Sequence, residues 1–256
     1  MTLLALGSIA MGAGFEKIAD MSDLLDSGTQ GTGVTNTSSL YEEGNTVLSF
    51  ASNNDAWLGI NNNSLVSTIQ GGEGYLLVTA WLRPEAGGEN SVFSYGAQDT
   101  GIKFGLKTQG PQITTKSKAD MNTGANSITC GSGAEWQFVA WSIKLDSNPT
   151  SANNVGRTFD GEDGKAYYSI SNKTEFVTPQ QADQTFAIGS GNSGSIRDRY
   201  LGDIANLTIY LSDTLPNTNL IASLNESAPK LKTVPEPATA TLSLLALAGL
   251  AARRRR

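Results

Sequence analysis

The stretch Tyr75-Leu76-Leu77-Val78-Thr79-Ala80-Trp81-Leu82 is apolar at both its odd and its even positions. Side chains of a β-strand alternate between two faces, so a strand that is apolar on both faces is covered on both sides. Arg83-Pro84 follows, and proline cannot continue a ladder of hydrogen bonds in the middle of a sheet. The sequence therefore predicts a central strand that ends near residue 83.

Short apolar runs separated by Gly, Asn, Asp and Ser clusters fill the rest of the body of the chain. Charged residues make up only 16% of the 256 residues and glycine is frequent, with 28 copies. This pattern is typical of an antiparallel sandwich of many short strands. The predicted strands are 46–50, 56–60, 65–69, 75–83, 91–95, 102–107, 136–145, 166–171, 185–189 and 204–211.

The last strand and the segment after it give more specific expectations. Strict alternation predicts that Ala205, Leu207, Ile209 and Leu211 share the core face, while Asn206, Thr208 and Tyr210 share the other face. After it, Pro216 and the apolar residues Leu220, Ile221 and Leu224 predict one short helix that begins at or near Asp213 or Thr214.

Composition excludes several classes of function. The chain has no histidine, which removes Ser-His-Asp and Cys-His nucleophile pairs and any imidazole base. A single cysteine, Cys130, allows no internal disulfide and is expected to be a small buried hydrophobe. The formal net charge of -6 argues against nucleic acid as a partner. The chain is expected not to be an enzyme.

The C-terminal segment has three parts in a fixed order. Pro235-Glu236-Pro237 precedes an uncharged, mostly apolar run at 238–252, and the chain ends in a cluster of four arginines: Arg253, Arg254, Arg255 and Arg256. A helix over that run would be roughly 22 Å long, short of the ~30 Å hydrocarbon core, so it would insert transiently. The arginines would stay on the cytoplasmic side and leave the body outside. The alternative is an apolar helix docked on the domain.

This tail resembles the PEP-CTERM sorting signal of Gram-negative bacteria. The resemblance implies that an exosortase, a membrane-embedded peptidase, processes the chain near Pro235 during export to the cell surface or extracellular matrix. At the other end, residues 3–13 look like a secretory hydrophobic region without its charged start. They are either a truncated signal peptide or a buried first strand.

Three segments resemble the laminin G-like and concanavalin A-like family. They are the strand that ends at Arg83-Pro84 with the following Ser91-Val92-Phe93-Ser94-Tyr95-Gly96, the segment 135–140 that begins Glu135-Trp136, and the strand that begins Gly202-Asp203-Ile204. The resemblance implies an all-β fold, a two-sheet antiparallel jelly-roll sandwich that commonly binds sugars or proteins. We divide the chain into a signal-peptide remnant (1–14), the sandwich (15–228) and a linker with the sorting and anchor segment (229–256).

Candidate ligand residues lie in polar loops that carry aromatic rings. Trp57, preceded by Asn54 and Asp55, offers a stacking ring beside hydrogen-bonding groups, although core packing is the alternative for this ring. Tyr200 is the second candidate ligand residue, because it follows the charged residues Arg197, Asp198 and Arg199. The alternative is that these charged residues form a solvated loop without a ligand.

Calcium is a possible cofactor. Asp160 and Asp163 flank a glycine-rich turn whose oxygens suit Ca²⁺, and Asp99 or Asp203 could complete such a site. A plain turn is the alternative, because the spacing does not match an EF-hand.

The sequence therefore predicts an exported, non-catalytic surface or matrix protein that binds extracellular polysaccharide or another glycan. The alternatives are a structural matrix protein without a specific ligand and a glycoside hydrolase with an unrecognised carboxylate pair. No Glu-x-Asp-x-Glu strand, the arrangement that places two carboxylates on one face for glycoside hydrolysis, is present.

Overall fold

The protein is described from a computed structural model. The described residues are 14–51, 56–60, 63–71, 74–87, 90–95, 102–107, 110–114, 120–122, 128–132, 134–145, 156–160, 186–190, 199–229 and 231–232. In chain order the elements are β1 (Phe15–Asp20), α1 (Met21–Asp26), β2 (Gly28–Gln30), β3 (Val34–Asn36), a 3-10 helix (Ser38–Leu40), β4 (Val47–Phe50), β5 (Leu58–Ile60), α2 (Asn63–Gly71), β6 (Gly74–Pro84), β7 (Asn90–Tyr95), β8 (Ile102–Lys107), β9 (Gly110–Thr114), β10 (Asp120–Asn122), β11 (Gln137–Leu145), β12 (Gly156–Asp160), β13 (Phe186–Ile188), β14 (Gly202–Ser212) and α3 (Thr218–Ser227).

The strands form two antiparallel sheets, which confirms the predicted all-β sandwich. In the described residues, the first sheet has the order β12-β11-β6-β14-β4-β3, with β1 also paired to β14. The second sheet has the order β10-β9-β8-β7-β13-β5-β2. The main core lies between the two sheets and contains the large buried rings Trp141, Tyr95, Phe93, Phe104 and Phe186.

Strand β6 is central, as its two apolar faces predict. It pairs with β11 on one side and β14 on the other. Leu76, Val78 and Leu82 point into the core between the sheets. On the opposite face Leu77 packs in a cluster with Ile221 and Leu224 of α3, so the helix covers the outer surface of the first sheet.

Trp141 ties the two sheets together. It lies on β11 in the first sheet, is fully buried, and its Nε1–H donates to the backbone oxygen of Gly105 in the second sheet at 3.1 Å. Its ring also lies 6.4 Å from that of Phe104. A buried indole needs such an acceptor, because an unpaired polar group in the core is costly.

The predicted strand at 65–69 is wrong. This segment lies in the helix α2, with Leu65 and Ile69 buried in the core. These two apolar residues are four positions apart, which is the spacing of one helix face as well as of one strand face. The short run was ambiguous, and packing selected the helix.

The predicted face of Ala205 is also wrong. Strand β14 shifts its register between Ala205 and Thr208, and Asn206 adopts a left-handed backbone with φ of 50°. The Asn206 side chain accepts a hydrogen bond from the Thr46 N–H at 2.8 Å. This bulge leaves Leu207 and Ile209 in the main core but turns Ala205 to the outer face, opposite Trp81.

Helix α3 confirms the predicted short helix but begins later, at Thr218. Asn217 caps it, because its Oδ1 accepts a hydrogen bond from the Leu220 N–H at 3.0 Å. No helix in the described residues is long and apolar enough to cross a membrane. The predicted strand at 166–171, the N-terminal run 3–13 and the apolar helix at 238–252 lie outside the described residues.

Candidate functional site

The candidate site lies at one end of the first sheet, where β6 ends and β14 begins. Gly202 pairs with both Pro84 and Phe50 and has a φ of 122°. A Cβ at Gly202 would collide with the backbone oxygen of Arg83, so only glycine allows the two strands to approach this closely. The Glu85 N–H donates to the Leu201 oxygen at 3.0 Å and continues the contact past the proline.

This approach places Arg83 directly opposite Asp203 on the outer face of the sheet. The Arg83 Nε and Nη2 groups both donate to Asp203 Oδ2, at 2.8 and 2.6 Å. The Asp203 side chain is 12% exposed and the Arg83 side chain 41% exposed. Burial alone would lower the pKa of Arg83, but the hydrogen bonds and charge of Asp203 raise it above its ordinary value.

An aromatic pair lies beneath the guanidinium. The Arg83 Cζ lies 5.0 Å from the centroid of the Trp136 ring, within the range of a cation–π contact. Tyr41 packs edge-on against Trp136 with ring centroids 5.9 Å apart. The Trp136 ring therefore supports the guanidinium from one side, while the Arg83 side chain stays partly exposed.

A short loop completes the site on its third side. Gln137 holds this loop, because its side chain accepts from the Thr129 N–H at 2.7 Å and donates to the Thr129 oxygen at 2.9 Å. The Gly131 N–H donates to the Pro84 oxygen at 3.0 Å. The loop is therefore fastened to both β11 and the end of β6.

Together these parts enclose a groove of about 490 Å³, hereafter the Arg83–Asp203 groove. Its walls are formed by the six residues Arg83, Glu85, Gly131, Ser132, Ala134 and Asp203. Both bonds of the ion pair use Asp203 Oδ2 and the Arg83 Nε and Nη2 groups. No hydrogen bond from another described residue engages Asp203 Oδ1 or Arg83 Nη1, so the ion pair leaves one acceptor and one donor group unused.

Tyr200 was predicted to contact a ligand, but the structure places it in the core. It is fully buried, its ring lies edge-on to Phe50, and its hydroxyl donates to the backbone oxygen of Asp203 at 3.0 Å. Burial, followed by the charge of Asp203, raises the pKa of Tyr200 well above 10. Tyr200 therefore supports the strand that carries Asp203 and does not face solvent.

Trp57 lies far from this groove along the chain, directly before β5 in the second sheet. The residue is partly exposed, and its ring covers Gly59, where any Cβ would collide with it. One face of the indole therefore packs on backbone. Asn54 and Asp55 lie outside the described residues, so the structure does not place them beside the ring.

The predicted calcium ligands are placed only in part. Asp160 is the last residue of β12, paired with Val139, and its side chain is not described. Asp163 and Asp99 lie outside the described residues. Across the residues that are described, no three His, Cys, Asp or Glu side chains gather as a metal site.

Cys130 lies next to the groove, in the loop held by Gln137. Its side chain is partly buried and packs against the main core. Burial raises the pKa of its thiol, so the cysteine is a poor nucleophile at neutral pH. This placement agrees with a packing role, although Cys130 is less completely buried than we expected.

Comparison with known families identifies the tail. Residues 233–256 match the PEP-CTERM protein-sorting motif. The chain carries a PEP-CTERM sorting signal. This signal indicates an exported protein that is sorted through the membrane and processed by an exosortase during export. Pro235, Glu236, Pro237 and the terminal arginines lie within the matched segment.

Comparison with solved structures supports the fold of the body. Domain 4 of an extracellular arabinanase from Geobacillus stearothermophilus, solved with arabinotriose, matches with a TM-score of 0.52 and 16% identity, over 79% of this chain and 88% of that one. The binding domain of botulinum neurotoxin serotype C1 matches with a TM-score of 0.52 and 14% identity, over 79% of this chain. The chain covers 47% of that neurotoxin chain, about half its length.

A second neurotoxin structure gives the same result. A type C structure, described as showing that cell entry depends on two ganglioside molecules, matches with a TM-score of 0.50 and 14% identity, over 79% of this chain and 46% of that one. These similarities show a shared β-sandwich fold. No curated protein matches the sequence.

Two parts of the groove were missed as ligand contacts by sequence reasoning. Arg83 was read only as the end of a strand, and Asp203 only as a spare acid for calcium. The two residues are 120 positions apart. The sequence did contain a signal for this site. Arg83 directly precedes Pro84 at the end of one strand, and Asp203 directly follows Gly202 at the start of another.

Proposed function

We propose that this exported protein is a non-catalytic surface or matrix protein that binds a neutral glycan in the Arg83–Asp203 groove. The observation that carries the proposal is the fixed Arg83–Asp203 ion pair in the groove wall, in which Arg83 Nη1 and Asp203 Oδ1 are not engaged by another described residue. Sugar hydroxyls can both donate and accept hydrogen bonds, and hydrogen bonds to charged groups are stronger than those to neutral groups.

The rigidity of the pair supports the same proposal. Arg83 is held by Asp203 from one side and by the Trp136 ring from below, so little side-chain freedom is lost when a ligand binds. Fixed polar groups at the wall of a concave site are the usual source of orientation and specificity. The exposed Glu85 and Ser132 add further hydrogen-bonding groups to the walls.

The charge of the groove favours a neutral ligand. Arg83 is neutralised by Asp203, and Glu85 adds a negative charge. A phosphorylated or sulfated glycan would meet repulsion from this charge, and the whole chain carries a formal charge of -6. The fold supports a neutral sugar ligand by analogy, since one structural relative was solved with arabinotriose, an uncharged oligosaccharide.

A glycan array tests this proposal. The processed protein would be applied to neutral and acidic glycans, with Ca²⁺ and again with EDTA, beside the variants Arg83→Met and Lys144→Met. Lys144 is the matched control, because it lies on the outer face of the same sheet at the far end, opposite Tyr75. We expect saturable binding to neutral glycans that falls at least tenfold in Arg83→Met and is unchanged in Lys144→Met.

Other outcomes lead to different functions. A blank array with a folded protein would contradict the proposal and favour a structural matrix protein. Binding that EDTA abolishes would show that the site needs a metal ion, and Asp160 and Asp163 would then be the first candidate ligands. Preference for anionic glycans would contradict the charge argument.

A glycoside hydrolase is the second candidate, because two carboxylates, those of Glu85 and Asp203, line one groove. Glycoside hydrolysis uses such a pair, with one member protonated as the general acid. Asp203 Oδ2 already accepts two hydrogen bonds from Arg83, which suits a fixed binding wall better than transfer of a proton to a leaving group. Release of reducing sugar from an array hit, abolished in Glu85→Gln, would establish the hydrolase instead.

A further inference from the structure

One wall of the Arg83–Asp203 groove is a loop whose side chains anchor it only weakly. This wall, hereafter the loop wall, is formed by Gly131, Ser132 and Ala134. Gly131 has no side chain, Ser132 is exposed, and Ala134 contributes a single methyl group. A Cβ at Gly131 would meet no atom within 4 Å, so its backbone borders open space. The position of the loop wall therefore depends on the groups that hold the loop backbone.

Gln137 holds this backbone from outside the groove. It is the first residue of β11, and it is not among the residues that line the groove. Its side-chain oxygen accepts a hydrogen bond from the Thr129 N–H at 2.7 Å, and its Nε2 donates to the Thr129 oxygen at 2.9 Å. A carboxamide thus offers the loop the same acceptor and donor that the peptide group of a neighbouring strand would offer.

Two backbone hydrogen bonds connect this contact to the groove. The Gly131 N–H donates to the oxygen of Pro84, the residue that directly follows Arg83 at the end of β6, at 3.0 Å. The Ala134 N–H donates to the Gly131 oxygen at 3.0 Å and closes the turn. Gln137 therefore fixes the loop wall relative to the strand end that carries Arg83.

We propose that Gln137 is a positioning residue, which does not touch the ligand but sets the affinity of the groove for a glycan by holding the loop wall in place. This inference rests on the proposed function, from which the ligand class is taken. A ligand that contacts both Arg83 and Ser132 needs the two groups at a fixed separation. Because the loop is already ordered by Gln137, less conformational entropy is lost when the ligand binds.

The position requires an amide. Glutamate has nearly the same size, but its carboxylate has only acceptors and would place an oxygen against the Thr129 oxygen. Methionine is of similar length and offers neither a strong donor nor a strong acceptor. Both hydrogen bonds to Thr129 are exposed, so their loss should loosen the loop without unfolding the sandwich.

Amide hydrogen exchange of the processed protein without ligand tests whether Gln137 holds the loop. We expect Gln137→Met and Gln137→Glu each to speed exchange of the Gly131 N–H roughly tenfold. The Gly189 N–H, which donates to the Val92 oxygen at 2.9 Å in the second sheet, should keep its rate. An unchanged rate at Gly131 in both variants would overturn the proposal.

The glycan affinity of the same variants tests whether the loop wall matters for binding. We expect Gln137→Met to lower the affinity roughly five- to tenfold. Thr129→Ala is the matched control, because it shortens an exposed side chain and keeps both backbone groups that Gln137 binds. Its affinity should stay within twofold of the unmodified protein. An equal loss in Thr129→Ala would overturn the proposal, as would full affinity in Gln137→Met.

A double-mutant cycle with Ser132→Ala distinguishes positioning from a general loss of stability. In the unmodified protein we expect Ser132→Ala to lower glycan affinity about threefold, because one hydrogen bond to the ligand is lost. In Gln137→Met it should cause no further loss, since the hydroxyl is no longer held in place. Independent, multiplicative losses would overturn the proposal.

The two kinds of measurement fail in different ways. A glycan array without any binding would overturn the proposed function and, with it, the effect of Gln137 on affinity. Exchange at Gly131 needs no ligand, so it would still show whether Gln137 holds the loop. Glycan binding that depends on Arg83 but not on Gln137 would overturn only the positioning role.

Discussion

Strand β6 presents two faces that differ in what they require of the sequence. Towards the second sheet it shows Leu76, Val78 and Leu82, which need only be apolar and of suitable volume. On the outer face it ends in Arg83, which needs one particular partner, Asp203, and one particular ring, Trp136. In this one strand, the residues that point inward stabilise the fold, and Arg83, which points outward, forms part of the candidate site.

The similarity to solved structures supports this division. Sandwich domains that share only 14–16% identity with this chain keep the same fold. An apolar face tolerates many sequences provided that its pattern is kept, whereas a binding site depends on individual side chains. Mutations on the two faces should therefore separate stability from binding.

The largest expected effect is on the inner face. Trp141→Ala removes a fully buried indole and its hydrogen bond to Gly105, and we expect it to lower the free energy of unfolding by about 3–5 kcal/mol. Lys144→Met on the outer face of the same strand should change it by less than about 0.5 kcal/mol. Urea denaturation of both variants checks this, and similar losses would contradict the division into two faces.

Gly202 is expected to affect both stability and binding, because it pairs with Pro84 next to the Arg83–Asp203 ion pair. Gly202→Ala combines a strained φ of 122° with a collision against the Arg83 backbone, and we expect a loss of about 2–3 kcal/mol together with weakened ligand binding. Gly44→Ala is the matched control, because its φ is 92°, a Cβ there meets no atom within 4 Å, and it does not line the groove. Thermal melts should show a loss of about 1 kcal/mol for Gly44→Ala, with ligand binding unchanged.

Much of the fold could be predicted from the sequence because it depends on local periodicity. The central strand β6 and its end at Arg83-Pro84 followed from the pattern alone. The helix α2 did not, because Leu65 and Ile69 fit a strand face and a helix face equally well. The turn of Ala205 to the outer face depends on a bulge stabilised by Thr46, 160 residues away in sequence, which no local pattern reveals.

The candidate site was harder to predict than the sorting signal. The signal is a continuous run of 24 residues, 233–256, and can be recognised by order alone. The groove joins residues from β6, β14 and the loop held by Gln137, so it exists only after folding. Tyr200 shows the opposite error, since a tyrosine beside charged residues suggested a surface site although the structure buries it fully.

Tyr200→Phe sharpens this contrast. It removes only the hydroxyl that donates to the Asp203 backbone oxygen, so we expect a loss of stability of about 1–1.5 kcal/mol. Glycan affinity should stay within twofold, because Tyr200 faces the core. Binding measured beside a denaturation curve checks both, and a tenfold loss of affinity in a stable variant would contradict the placement of Tyr200.

The smallest expected effect lies away from both faces of β6, at the cap of α1. Burial would raise the pKa of Asp20, but hydrogen bonds from Lys17, Ser22 and the Asp23 backbone lower it to about 2, from 3.8. Because the folded protein lowers this pKa, the carboxylate stabilises the fold above about pH 4, and that stability is lost as the pH falls through 2.

Solvent screening at this half-exposed position limits the effect to about 1 kcal/mol or less. Asp20→Asn should therefore flatten the pH dependence of stability between pH 4 and 2, while it keeps a side chain that can cap the helix. Asp26→Asn at the other end of α1 is the control, and we expect its stability to vary with pH as in the unmodified protein. If Asp20→Asn left the pH dependence of stability unchanged, the lowered pKa of Asp20 would be contradicted.

The most direct test of glycan binding in the Arg83–Asp203 groove uses the indole N–H signals of the four tryptophans in a protein labelled with ¹⁵N-tryptophan. An oligosaccharide found on the array would be titrated into the processed protein. The account predicts that the Trp136 signal shifts in a saturable way, because its ring supports Arg83, while the Trp57 signal stays in place. A saturable shift of Trp57 with an unmoved Trp136 would place the ligand on the second sheet and contradict the account.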